Sequence, residues 1–342
     1  FFDNEKDELP EVLFLLLLGI TSTLHTCLGS NVKYVNPFQG TLRPKRDGNY
    51  GGMIPSTASP FAMTRWTPTT RENFVSRCPY LYDGEYFYGF MGTHQPAVWM
   101  GESAQVVVST GTGSVKTAFA DRGLKYSHEG EFSSPYYYKT ILETDTGSHI
   151  AGEVTAVSRS SAIRFSYEAS DKSDRFVSIQ ATRDGIDGMV QVNPSTREIS
   201  GYNPERQDDV LGPFTAKDFK GYFVARFDTD FSAYGTAHGA ELYANESSDS
   251  GSLLSAYVVF PSDTKHVNIR VGVSYISIEQ ARLNLDSETP DTMSLEEIST
   301  VVYNQWSEKL DLVTLYNATE DDAAIFYTSM YHALQVSSIV II

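Results

Sequence analysis

The sequence predicts a mainly β protein, a large antiparallel β-sandwich followed by the first helices of an incomplete helical domain. Two observations carry this. From residue 34 to about 278, short runs of β-branched and aromatic residues recur at period two, broken by Gly, Pro, Asn, Asp and Ser. After Pro290 the apolar spacing changes to three and four, the period of a helix. A chain of 342 residues with 41% hydrophobic and 20% charged residues can bury a large core, which excludes a disulfide scaffold and overall disorder. Its formal net charge of −17 repels phosphate backbones, so nucleic acid is not an expected partner.

Taken in order, residues 1–30 read as a leader. The run VLFLLLLGI (12–20) is half the length a membrane-spanning helix needs, about 20 residues. It has the size of a signal-peptide core, yet Asp3, Glu5, Asp7, Glu8 and Glu11 precede it where basic residues are expected. A damaged or incomplete secretory signal and an ordinary or non-native apolar segment both fit. The sequons at Asn245 and Asn317 are expected glycosylation sites and fit a secreted protein. Cys27 and Cys78 allow one bridge at most and have no zinc-type spacing.

Residues 31–285 are assigned to the sandwich. YFVARF (222–227), AYVVF (256–260) and, after the turn Pro261-Ser262-Asp263, VNIRVGV (267–273) are representative strands. Residues 286–342 begin the helical part. Ser294 and Glu297 form a capping box, and Leu295, Ile298, Val302, Trp306 and Leu310 give the following helix one apolar face. A second helix begins near Asn317, with Glu320, Asp321 and Asp322 on the positive end of its dipole and an apolar stripe of Ile325, Tyr327, Tyr331 and Leu334. Two helices cannot close a domain of their own, so their apolar face is expected to lack a partner and to favour association.

No nucleophile elbow, P-loop, HExxH, EF-hand loop or dinucleotide fingerprint occurs. The densest polar and aromatic cluster is GTHQPAVWMGE (92–102), a loop expected after the strand-like YFYGF (86–90). His94, Gln95, Trp99 and Glu102 there are the groups that hydrogen-bond sugar hydroxyls and stack on a pyranose. The same residues also read as a core indole, a structural imidazole and a solvated charge. The glycine-rich GNYGGMIP (48–55) is better explained as a tight turn than as a ligand cradle. Arg65-Trp66 reads either as a binding pair or as an Arg packed along an indole.

NPFQGT (36–41), GGMIP (51–55), PFAMTRWTP (60–68) and GFMGTHQPAVWMGE (89–102) resemble glycoside hydrolase family 92, the calcium-dependent α-mannosidases. ARFD (225–228), FSAYG (231–235), RVGVSYIS (270–277) with EQA (279–281), and FYTSMYH (326–332) continue the resemblance in order, to about Gln335. It implies a β-sandwich packed on an (α/α)6 barrel, with the active site between them. Hydrolysis is then inverting, by a general-acid Glu and a general-base carboxylate about 6.5–9.5 Å apart. Ca2+ binds the mannose hydroxyls. In the family those carboxylates and metal ligands lie mainly in the helical domain, so no catalytic acid, base or calcium ligand is assigned on this chain.

His94, Gln95, Trp99 and Glu102 carry over as sugar-contacting residues, with Trp99 stacking on the leaving-group side. The form of that loop is similar to members that cleave α-1,2-mannosidic links. The implied protein is a secreted exo-α-1,2-mannosidase acting on mannose-containing N-glycans or mannans, this chain being its N-terminal part and inactive alone. A mannose-binding, lectin-like sandwich without catalysis and an inactive truncated product are the alternatives. Ala62 and Ala104 stand where the family pattern has Gly, which strains any turn needing positive φ.

Overall fold

The computed structural model describes residues 29–42, 51–95, 98–207 and 217–336. The apolar run 12–20, Cys27, the start of the glycine-rich loop (48–50), Pro96 and residues 337–342 lie outside the described residues. Among the described residues, the period-two runs become two antiparallel sheets. The smaller has seven strands, in the spatial order Arg65–Pro68, Phe90–Thr93, Val106–Thr112, Arg175–Gln180, Leu254–Phe260, Ala233–His238 and Glu241–Ala244. The larger runs Ser248–Gly251, Gly188–Asn193, Glu198–Asn203, Gly221–Phe227, His266–Ser274, Ser160–Tyr167, His149–Ala156, Tyr137–Glu143, Leu124–Tyr126 and Tyr86–Phe87. Its eleventh strand, Phe132–Ser134, also pairs with Tyr137–Glu143.

Alternation decides which side chains meet between the sheets. Phe223, Ala225 and Phe227, with Val267, Ile269, Val271 and Val273 from the neighbouring strand, share one buried cluster with Val177, Ile179, Ala256 and Val258 of the smaller sheet. Each of the Phe, Val and Ile side chains among them contributes about 1.5–3 kcal/mol relative to exposure.

The residues between them face outward, and helices cover that side. Helix α1 (Ile278–Glu288) lies over Val224 and Gly272, burying Ala281 and Leu285. A Cβ at position 272 would stand 2.3 Å from the Ala281 carbonyl oxygen, so glycine is what lets this helix approach. Arg226 and Arg270 are directly opposed across two strands, a pairing that repels by itself. Acids offset it: Arg226 bonds Glu198 at 2.9 Å and Asp286 of α1 at 2.6 Å, and Asp291 stands 3.5 Å from Arg270.

Sequence periodicity does not predict helix α1, and a sandwich ending at residue 285 would end inside it. Helix α2 (Leu295–Leu310) has its capping box, and all five predicted apolar positions are buried. Helix α3 (Glu320–Val336) starts on a reciprocal Thr319–Asp322 cap. Its stripe needs one correction: Ile325 is 57% exposed, because it lies two residues from Tyr327, about 200° around the helix. Ala323, Tyr327 and Tyr331 form the buried face instead.

Nor does that face lack a partner. Both helices pack on Val32, Val35, Val157 and Ala162, with Tyr34 stacked 5.8 Å from Tyr327. No described helix is long and apolar enough to cross a membrane. Ala104 has φ +57°, so the strain expected there is present, at about 1–2 kcal/mol. At Ala62 it is absent; the left-handed residue is Phe61, at φ +60°.

Candidate functional site

The strand Arg65–Pro68 pairs with Phe90–Thr93, placing Arg65 opposite Thr93 and Trp66 opposite Gly92. Consecutive strand residues point to opposite faces. Trp66 therefore enters the sandwich core, whereas Arg65 faces a pocket of about 280 Å3 at the end of the sheet. The choice left open for Arg65-Trp66 resolves into one residue of each kind.

Beyond Thr93 the chain leaves the ladder and loops back at Glu102. That carboxylate is fully buried and closes the loop. Its Oε1 accepts from the His94 amide at 2.7 Å and the Ser103 amide at 3.0 Å, while its Oε2 accepts from Asn73 Nδ2 at 2.9 Å and from the Thr93 hydroxyl. Glu102 is thus neither solvated nor turned to the pocket. Burial raises its carboxyl above the usual range, opposed by those bonds from Thr93, His94 and Ser103. Gln95 braces the loop from inside, Nε2 donating to the carbonyls of Met100 at 2.7 Å and Val98 at 3.2 Å. Gly101 is required by close approach, since a Cβ there would lie 2.0 Å from Gln207 Cβ. At the tip Trp99 is 59% exposed, not a core residue.

Gln95 and Trp99 line the pocket; His94 and Glu102 do not. The His94 ring lies 5.2 Å from Tyr275, with Nε2 2.7 Å from the Thr64 hydroxyl and Nδ1 buried without a partner among the described residues. Burial lowers its pKa to about 4; the Ser103 backbone opposes this and the Arg65 charge adds to it. Sequence reasoning missed the other wall, made by Cys78, a buried free thiol, and by His332 and Gln335 of α3. Only the i, i+3 spacing of the last two on one helix face hinted at it. Among the described residues His332 Nε2 and Gln335 Oε1 are buried without hydrogen-bond partners, and burial and the Arg65 charge hold the His332 ring at about 4. Arg65 donates to the Gln95 carbonyl and, among the described residues, pairs with no carboxylate.

Among the described residues no carboxylate lines the pocket, and no three His, Cys, Asp or Glu side chains come together that could hold a metal ion. They do not fit a calcium site, which takes six to eight oxygens. Asn245 and Asn317 are both exposed, at φ +63° and +56°.

An exposed indole and inward amides thus lie where the sandwich meets the helices. The chain belongs to glycosyl hydrolase family 92: the profile of the family's N-terminal domain matches residues 34–274, and that of its catalytic domain residues 280–340. Among solved structures, the family 92 inverting mannosidase of Bacteroides thetaiotaomicron VPI-5482 is similar at 26% identity and a TM-score of 0.79, over 89% of this chain and 39% of that one. A family 92 α-mannosidase of the same species, in complex with mannoimidazole, has 24% identity and a TM-score of 0.71, over 90% of this chain and 40% of that one. The chain thus spans about 40% of the length of these relatives. No curated protein matches it. The pocket lies where the two family regions meet, with Arg65, Gln95 and Trp99 from the first and His332 and Gln335 from the second.

Proposed function

We propose that this chain forms the sandwich side of the active site of a secreted, calcium-dependent, inverting exo-α-1,2-mannosidase that trims mannose-containing N-glycans or mannans. One observation carries the reading. The pocket at the junction of the two regions presents an exposed indole beside polar groups with unused hydrogen-bonding capacity. Trp99 offers a flat apolar face to the C–H surface of the leaving-group sugar, and Arg65, Gln95, His332 and Gln335 offer donors and acceptors to its hydroxyls. The ligands of Ca2+ and both catalytic carboxylates belong to other parts of the catalytic domain. Secretion is supported by the exposed sequons at Asn245 and Asn317.

Two outcomes test this. The 342 residues alone are expected to release no mannose from α-1,2-mannobiose, with or without chelator, and to give no calorimetric calcium isotherm. Chelator-sensitive turnover by this chain would overturn the division of labour. In an enzyme joining this chain to a complete family 92 catalytic domain, Trp99→Ala should lower kcat/KM roughly 5- to 150-fold, the loss of about 1–3 kcal/mol of transition-state stabilisation. Unchanged kcat/KM in a folded variant would remove Trp99 from the site. The lectin-like reading requires binding by this chain and no turnover in the joined enzyme.

A further inference from the structure

Behind the sugar loop lies a buried polar chain that never reaches the pocket. Asn73, Glu102 and Thr93 are essentially without exposure, and Glu205 is nearly so. Arg183 Nη1 donates to the Asn73 carbonyl and stands 3.3 Å from Asn73 Oδ1; its Nε bonds Glu205 Oε2 at 3.2 Å. Gln207 Nε2 donates to Glu205 Oε1 at 2.7 Å, and the Gln207 and Glu102 backbones are tied by a 2.9 Å bond from the Gln207 amide.

The direction of the Asn73 amide follows from chemistry. A guanidinium only donates, so the Asn73 end facing Arg183 must be the oxygen. The NH2 group is then aimed at Glu102 Oε2, 2.9 Å away. Glu102 in turn holds both ends of the loop, Thr93 and His94 at its entry and Ser103 at its exit. No other side-chain amide donates to this carboxylate among the described residues.

We infer that Asn73 is a positioning residue of the sugar site: oriented by Arg183, it fixes Glu102, and Glu102 sets the loop that carries Gln95 and Trp99. The inference rests on the proposed function for its ligand. Its test is a donor–acceptor exchange. Asn73→Asp sets a carboxylate against Glu102, and Glu102→Gln sets an amide NH2 against donors in either orientation. The double variant restores one bond, from the new amide NH2 at position 102 to the new carboxylate at position 73, while the oxygen of that amide still accepts from His94 and Ser103.

Each single variant of the full chain should weaken α-1,2-mannobiose binding about tenfold, within the range of coupled contacts, and the double variant should return it to within about twofold of the parent. The same cycle read without sugar, as tryptophan fluorescence anisotropy, should fall in each single variant and recover in the double, since Trp66 and Trp306 are buried in the core and a loosened loop would free only the exposed Trp99. If Asn73→Asp does not fold, Glu102→Gln and the double variant complete the comparison. Parent-like values in a folded single variant, or losses that the double variant does not reverse, would overturn the inference. If Trp99→Ala alone leaves mannobiose binding intact, the proposed function fails instead; the anisotropy cycle still decides whether Asn73 positions the loop.

Discussion

Trp306→Ala is expected to lower the free energy of unfolding by about 3–5 kcal/mol, a large part of the ~5–15 kcal/mol that holds a domain folded. Trp306 is 1% exposed, and its ring centroid lies 5.1 Å from that of Tyr331. Its Nε1 donates to the Ala58 carbonyl at 2.7 Å, joining α2 to the segment that leads into Arg65. Alanine would leave a cavity and also a buried carbonyl without a donor, an added cost of about 1–3 kcal/mol if water cannot enter. Urea denaturation gives the value directly. A loss below about 1 kcal/mol, far under the range for a buried tryptophan, would mean that the helices are not docked on the sandwich as described.

Acid is expected to loosen the same region at a pH above that at which Asp171 and Asp249 titrate. A histidine whose pKa is lowered by folding takes up its proton more readily in the unfolded chain. Stability therefore falls as pH drops below the ordinary value and levels off once pH passes the folded one. His94 and His332 are both held at about 4. From an ordinary value near 6.5, each would cost the native state up to about 3 kcal/mol by pH 4. Asp171 and Asp249, whose pKa values lie below the usual aspartate range, contribute stability that is lost only below that window. His332→Gln should flatten the decline in unfolding free energy between about pH 6.5 and 4. An unchanged slope would show that His332 is protonated as readily folded as unfolded.

The strands were legible because alternation is local. Val267, Ile269, Val271 and Val273 announce a buried face within seven residues, and Ser294 with Glu297 announces a helix start within four. Helix α1 was not legible because its burial is narrow, Ala281 and Leu285 over Gly272, and the contact that selects it comes from a strand earlier in the chain. The site was half legible. A loop with Trp99 and Gln95 stands out by composition, but that Glu102 turns inward depends on Asn73, and that Arg65 and His332 line one pocket depends on α3 packing on the segment from Ser56 to Phe61 that leads into the Arg65 strand. Such meetings across 267 residues leave no local pattern.

On the proposed function, Trp99 carries the sugar contact of this chain. Because Trp66 and Trp306 are buried and Trp99 is 59% exposed, a shift of intrinsic fluorescence on adding sugar reports on Trp99 above a constant background from the other two. Titration of the 342-residue chain with α-1,2-mannobiose is the direct measurement. A saturable blue shift in the millimolar range is expected, absent in Trp99→Phe; no shift in the parent, or the same shift in the variant, would remove Trp99 from the sugar site.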